Sequence, residues 1–407
     1  MVLNKLKFAG KKKLGLAEVS LLKWDSMSII IASRLFLPEP GAAALRLGGL
    51  AKAFAQRNLP VTVLTSTYQK QDVQLPGVNI KRAPVLRDKL GAVRGYVQYM
   101  SFDIPLFVRL LAERKTQTVI CEPPPTTGVV TRLACALKRV PYVYFAGDIL
   151  TDAVKDSGAP EFVVNTVEKL ERFALRGAAL VITVTPGVEK RALEFGAKQT
   201  IMVPNGVDTS AYEGDIPENF PTGKKVLLYA GTASAVHGAG IFIEAFQKVY
   251  DAHPDTELVY LGQGTDWPKL QEMAAQTSLP IKFFPLVPNE VAKGWFKHSA
   301  VGLVSLPNNN YSYAYATKCL ASLAHGTPVA YVGGGQTKED IETHNLGVVA
   351  EFTADDVSEK IISLLDDIEN HTAPASEALI NWVETNRSLT TSSAKIADSI
   401  ISMLLKN

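Results

Sequence analysis

The chain has 407 residues, 47% of them apolar and 20% charged, the proportions of an ordinary globular protein with room for two or three domains. A formal net charge of +2 argues neither for nucleic acid nor for an acidic substrate, and no nucleic-acid partner is expected. The three cysteines, Cys121, Cys135 and Cys319, are far apart and fit a reducing, cytoplasmic compartment. No apolar run approaches the roughly 20 residues that span a bilayer, and no compact apolar core with a small-residue cleavage site follows the basic N-terminus.

Residues 1–26 stand apart in character. Lys5, Lys7, Lys11, Lys12, Lys13 and Lys23 interleave with Leu3, Leu6, Phe8, Leu14, Leu16, Leu21 and Leu22. Such a basic amphipathic segment suits peripheral contact with the inner face of the cytoplasmic membrane. A solvated tail or a strap on the first domain accounts for the same residues. From Ser28 the chain alternates β-rich runs with helical patterns, which reads as parallel α/β. Ser28–Ser33 is an unbroken apolar strand, and Leu35–Pro40 a loop. After Gly41 the apolar residues Leu45, Leu47, Leu50, Ala51 and Phe54 predict a helix. Strands are expected at Pro60–Thr65, Gln117–Cys121, Tyr142–Phe145 and Leu180–Thr183, and helices at Thr127–Leu137, Pro160–Leu175 and Pro186–Phe195.

The alternation restarts at Lys224–Ala230. A helix follows at Ala239–Tyr250, a strand at Glu257–Leu261 and a helix at Trp267–Gln276. Strands at Ile281–Phe284 and Ala300–Val304 flank a helix near Asn289–Lys297. A short helix, the strand Pro328–Val332 and two closing helices complete the chain. Turn residues and prolines concentrate between Val203 and Gly223, which places the boundary there. The expected organisation is a basic segment at 1–26, an acceptor domain at 27–204, a donor domain at 205–385, and a helix at 386–407 crossing back to the first domain. In open α/β sheets ligands bind beyond the C-terminal strand ends, at the switch in strand order. The expected site is therefore a cleft between two such domains.

Four places at strand ends carry candidate chemistry. Gly41, followed by Ala42, opens a helix, so a ligand can approach its backbone; a plain tight turn needs the same glycine. Asp148 ends Tyr142–Asp148 (YVYFAGD), as an acceptor-binding carboxylate or base, or as the N-cap of a following helix. Gly231–Gly238 (GTASAVHG) puts Gly231, Thr232 and His237 beyond the first strand of the second series; His237 reads as a ligand contact or as a structural histidine. Ala316–Val329 (ATKCLASLAHGTPV) is the most informative segment. Lys318 begins a helix, where cations are disfavoured unless an anion such as a diphosphate shares the site. Lys318 would act there as a point charge. Tyr311, Tyr313 and Tyr315 alternate before it, as a wall of the site or as a half-buried extended stretch. There is no phosphate-binding P-loop, no complete dinucleotide fingerprint at Gly262–Gly264, no zinc-binding helix motif and no Asp-x-Asp. No metal is expected, and no cofactor.

These elements resemble a GT-B glycosyltransferase of family 4, over nearly everything from Ser28 onward. LFLPEPGAAALRLGGLAKAF is similar to the family's turn into its first helix. VPNGVDTSAY at Val203–Tyr212 is similar to its interdomain VPNGVD-x-x-x-F, and LLYAGT at Leu227–Thr232 to the opening of its nucleotide-binding domain. ATKCLASLAHGTPVA resembles the Pro-Ser-Lys-x-x-Glu-x-x-Ala-x-Gly-x-Pro-Val pattern of a branch that builds bacterial envelope sugars, and PYVYFAGDIL that branch's strand ending in Arg-Asp-Leu-Trp. The resemblance implies two facing Rossmann-like domains and metal-independent, retaining transfer from a nucleotide-sugar donor to a glycan or lipid-linked envelope precursor. It implies that Gly41 and Ala42 approach the donor diphosphate or the acceptor. Lys318 and the N–H groups of Ala316 and Thr317 would bind the diphosphate, with Asp148 on the acceptor side. The chain departs from the family at four places. The two family glutamates fall on Tyr313 and Ala321, the second being the usual ribose contact. The basic pair after the first donor-domain strand is replaced within GTASAVHG, where His237 stands, and Gly147 precedes Asp148. The departures also fit a catalytically degenerate GT-B protein that binds a sugar or partners another glycosyltransferase.

Overall fold

A computed structural model describes residues 28–39, 41–69, 73–88, 91–93, 95–207, 214–307 and 315–406. The basic segment 1–26, Pro40, Asp208–Tyr212, Tyr311 and Tyr313 lie outside the described residues. The chain divides into two compact units, Met1–Cys121 with Val130–Tyr142, and Glu122–Val129 with Val143–Asn407.

In chain order the elements are β1 (Ser28–Ala32), α1 (Ala42–Ala55), β2 (Val61–Ser66), β3 (Val78–Ala83), α2 (Tyr96–Ala112), β4 (Thr116–Cys121), α3 (Pro125–Lys138) and β5 (Tyr142–Ala146). There follow α4 (Leu150–Asp156), α5 (Glu161–Gly177), β6 (Leu180–Thr183), α6 (Pro186–Glu194) and β7 (Thr200–Met202). The second series runs β8 (Lys225–Thr232), α7 (Ile241–Ala252), β9 (Thr256–Gln263), α8 (Trp267–Ala275), β10 (Ile281–Pro285), α9 (Asn289–His298) and β11 (Val301–Leu306). It closes with α10 (Lys318–Leu323), β12 (Val329–Gly333), α11 (Gly335–His344), β13 (Gly347–Ala350), α12 (Ala354–Glu369), α13 (Ser376–Arg387) and α14 (Leu389–Lys406).

Two parallel sheets result, in the orders β3-β2-β1-β4-β5-β6-β7 and β10-β9-β8-β11-β12-β13. In each, the order reverses beside its first strand, which puts a switch point next to β1 and another next to β8. The strands form where β-branched and aromatic residues can be buried on both faces. Ile29, Ile30 and Ile31 of β1 are buried, as are Val226, Leu227, Leu228 and Tyr229 of β8, the pattern of central parallel strands. Two helices start on a side-chain cap. Thr185 Oγ1 accepts from the Val188 N–H at 3.1 Å at the start of α6, with Pro186 in its first turn, and Thr353 does the same for α12.

Several elements escape the sequence pattern. β3 is a half-exposed edge strand with Lys81 and Arg82 in it, so it lacks an apolar run. α2 contains Pro105 and has apolar residues around its circumference, which erases the 3.6-residue period. α4 and β7 have only seven and three residues, and β13 four. After β12 the chain forms α11 to α14 rather than the two helices expected. Val207 bridges to Ser388, its N–H donating to Arg387 O and its carbonyl accepting from the Leu389 N–H, both at 2.8 Å. Just beyond, α14 packs on β6.

Candidate functional site

In the first unit the turn after β1 holds Gly41, whose φ of +149° belongs to the glycine region. A Cβ placed there would meet nothing within 4 Å, so the backbone is open to an approaching ligand, and Ala42 beside it is exposed. The turn is held from beneath by arginines that the sequence did not single out. Arg87 makes a two-pronged ion pair with buried Glu39, at 2.8 and 3.0 Å, and donates to Thr67 O at 2.8 Å. Arg82 donates to Leu37 O at 2.6 Å. Both belong to the stretch from β3 onward, so no local signal in 35–42 announces them.

Asp148 follows β5, half-buried, at a C-terminal strand end as expected. It is not the cap of the next helix. The N-cap of α4 is Ile149, without a side-chain cap bond. Glu171 of α5 takes that role from a distance. Its carboxylate accepts from the N–H groups of Leu150 and Thr151, both at 2.9 Å, and from the Thr151 hydroxyl at 2.6 Å. Burial pushes Glu171 up to about 7, against those hydrogen bonds, and the nearby Asp148 charge adds to the rise. Glu171 thus anchors the peptide that follows Asp148.

The switch point of the second sheet is more telling. β8 and β11 pair only at Val301↔Leu227 and Gly302↔Leu228, although β8 runs on to Thr232 and β11 to Leu306. The strands diverge, and Lys318 reaches the end of β8. Its ammonium donates to Tyr229 Oη at 2.8 Å and Thr232 O at 2.6 Å, and lies 4.7 Å from the centre of the Tyr229 ring. Tyr229 Oη donates in turn to Thr232 O at 3.0 Å. Gly231 is needed for the same approach: φ is +118°, and a Cβ would stand 3.1 Å from Lys318 Cε. Desolvation holds Lys318 far below the usual lysine range, at about 7, only partly offset by Cys319.

His237 lies in the same field. Burial, followed by the Lys318 charge, lowers it to about 4, so the ring is neutral at physiological pH, and its Nδ1 is 2.9 Å from Ser234 Oγ. The remaining expectations need correction. The Ala316 N–H donates to Thr337 Oγ1 at 2.9 Å and the Thr317 N–H to Tyr315 O at 2.9 Å, so both are already engaged and neither is free for an anion. α10 itself has only six residues. Thr232 contributes an acceptor carbonyl that seats the lysine. The turn carrying Lys318 is anchored from α11 and α13 instead. Tyr315 Oη donates to Asp340 Oδ2 at 3.0 Å, and Asp340 is ion-paired with buried Arg387. Ala321 is half-buried in α10, and its carbonyl is 2.7 Å from His325 Nδ1.

Among the described residues, His253, Asp366 and Glu369 bring three metal-ligand atoms within 4.8 Å of one another. Lys225 already pairs with Glu369, and His253 with Asp366 at 3.1 Å. This network lies at the N-terminal end of β9, opposite the ligand-binding strand ends. A cavity lined by Leu180, Gln199, Thr200, Lys395 and Met403 likewise sits at the N-terminal ends of β6 and β7. No helix among the described residues is long and apolar enough to cross a membrane.

The two series of elements match known families in the same order. Residues 41–206 match the glycosyl transferase 4-like domain, and residues 224–367 match glycosyl transferases group 1. Together these cover more than half of the chain. The chain belongs to the family 4 GT-B glycosyltransferases. No curated protein matches this glycosyltransferase in sequence. Among solved structures it is similar to Anabaena HepE in complex with UDP and glucose, at 16% identity and a TM-score of 0.69, over 92% of this chain and 100% of that one. It is also similar to the sucrose-phosphate synthase of Thermosynechococcus elongatus, at 15% and 0.70 over 94% and 100%. WaaG, a glycosyltransferase involved in lipopolysaccharide biosynthesis, matches at 16% and 0.69 over 91% and 99%. At these identities the structures establish the fold, and the GT-B architecture expected from the sequence is the one present.

Proposed function

We propose that this glycosyltransferase moves a sugar from a nucleoside diphosphate donor, with retention at the anomeric carbon, to a glycan or lipid-linked envelope precursor. The observation that carries the reading is Lys318, a desolvated amine at the end of β8, beside its divergence from β11, held among the described residues by neutral oxygens. A diphosphate arriving there meets a cation with no carboxylate to displace, and charge that develops on the leaving phosphate is stabilised in place. Gly231 leaves room for the lysine, Thr232 seats it, and neutral His237 offers a hydrogen bond rather than a second charge. Gly41 and Ala42 present open backbone to the donor or acceptor. Asp148, held by the Glu171-capped turn, binds or deprotonates the acceptor hydroxyl. The chemistry needs no metal. The similarity to HepE makes UDP the first nucleotide to test. The cytoplasmic face of the membrane is the proposed location, with residues 1–26 as one contact and domain limits near 204 and 385.

Calorimetry with UDP and UDP-glucose, paired with a transfer assay on Lys318→Ala, tests this reading. Binding that survives the substitution unchanged, with unchanged turnover, removes Lys318 from the site. A second reading is a degenerate GT-B protein that binds a sugar without transfer. Ala321 in place of the family glutamate and the engaged N–H groups of Ala316 and Thr317 favour it. Absence of binding to any member of a nucleotide and nucleotide-sugar panel would select it.

A further inference from the structure

Helix α2 carries two charged residues, and neither lies on its outer face. Asp103 is buried, and Arg109 turns to the carbonyls of Lys81, at 2.7 Å, and Thr65, at 3.4 Å. The buried side comprises Phe102, Asp103, Leu106 and Leu110. At 100° per residue the opposite side presents Val97, Ile104, Val108 and Leu111. Ile104 is 65% exposed and Val108 63%. A surface helix ordinarily puts charged and polar residues there.

Helix α3 ends beside the end of α2 and carries exposed apolar residues of its own. Lys138 at its end donates to Leu110 O and to Thr116 Oγ1, both at 2.8 Å, and to Glu113 O. Those bonds pin the end of α3 to the end of α2. Leu137, the preceding residue, is 68% exposed, and Leu133 one turn earlier is exposed as well. Exposed apolar residues on two helices whose ends are pinned together mark an interaction site.

The rim identifies the partner. Arg114, Lys115 and Arg139 are exposed where the two helices end, while the acid among them, Glu113, is paired with Lys81 at 2.5 Å. The Ser28 N–H donates to Lys115 O at 2.9 Å, so the first described residue of the chain lies at this rim. Association of two copies through the face would bring these cationic rims toward each other. An anionic surface with an apolar interior satisfies both features.

We propose that the α2–α3 face rests on an anionic lipid bilayer, with Ile104, Val108, Leu111 and Leu137 entering the headgroup boundary and Arg114, Lys115 and Arg139 meeting lipid phosphates. This surface is independent of the donor-site reading.

The test is co-sedimentation of the full chain with phosphatidylcholine vesicles and with vesicles of phosphatidylcholine and phosphatidylglycerol. Binding is expected to the second kind, weakening as salt is raised. Ile104→Glu combined with Val108→Glu should lower the partition coefficient about tenfold or more, since binding scales with apolar area buried. The melting temperature and UDP-glucose affinity of that variant should match the parent, which separates this proposal from the donor-site assignment. Arg114→Gln, Lys115→Gln and Arg139→Gln together should reduce the preference for anionic vesicles, leaving only what the basic residues 1–26 contribute. Equal sedimentation of the double glutamate variant and the parent overturns the proposal, because residues 1–26 would then suffice. Failure of the parent to sediment also overturns it. So does a parent dimer, broken by the same two glutamates, without vesicle binding.

Discussion

Two strand-end turns each enclose one ionisable side chain, and their surroundings differ in kind. Beyond β5, Glu171 receives three hydrogen bonds from Leu150 and Thr151. Beside β8, Lys318 gives its hydrogen bonds to a hydroxyl and a carbonyl, and among the described residues no carboxylate answers its charge. Both groups titrate near neutrality because burial penalises the charged form. The first accepts from two backbone N–H groups and a hydroxyl that would otherwise lose these partners, so its role is to hold a turn in shape. The second is held by neutral partners and still lacks a counter-charge, so an arriving anion gains what the fold does not supply.

The contrast can be broken by substitution. Glu171→Ala strands two N–H groups and a hydroxyl, and should cost about 3 kcal/mol in urea unfolding; a cost near zero would put Glu171 in the same class as Lys318. Its titration sharpens the point. The folded value, about 7, lies above the ordinary 4.5, so the folded state binds more protons between the two. Stability due to Glu171 is present below about pH 4.5 and declines as pH rises through 7. Glu171→Gln should flatten that decline.

Lys318→Ala should weaken UDP-glucose binding about 100-fold in calorimetry, the scale of a charge-assisted hydrogen bond inside a protein. It should leave the apo melting temperature unlowered, since it removes a desolvated charge. The pH dependence comes next in size. Lys318 is lowered to about 7 from 10.5, so the unfolded chain carries the extra proton between those values, and apo stability rises with pH across that window. Bound diphosphate favours the protonated amine, so donor affinity should fall about tenfold per pH unit above 7. Lys318→Arg, which stays protonated, should remove the slope; a slope that persists places the titration elsewhere. The smallest effect is expected at Gly41. Gly41→Ala meets no side chain, so about 1 kcal/mol of backbone strain is its whole stability cost. A larger loss in transfer than in stability would show that the open backbone serves a ligand.

Much of the architecture is legible in the residues themselves. Unbroken runs such as SIIIA in β1 and the glycine and proline punctuation around Gly41, Gly231 and Gly326 announce parallel α/β units in tandem. Hydrophobic period and turn chemistry are local properties. The same logic puts Lys318 at the start of a helix and Asp148 at a strand end. It fails at α2, whose outer face breaks the period because it is apolar where solvent-facing helices are charged.

What the lysine does was decided only by the fold. Tyr229 and Thr232 stand 89 and 86 residues from Lys318 in sequence, and they meet it because β8 and β11 separate at the reversal of strand order. The Ala316 and Thr317 N–H groups looked free in a linear reading, and Thr337 and Tyr315 take them. Glu171 reaches its turn from 20 residues away, and Arg87 reaches Glu39 from 48. Sequence alone determined which residue types sit at the strand ends, because short-range pattern sets secondary structure. Only tertiary structure decided their charge state and their free valences, because desolvation and hydrogen bonding depend on what packs around them.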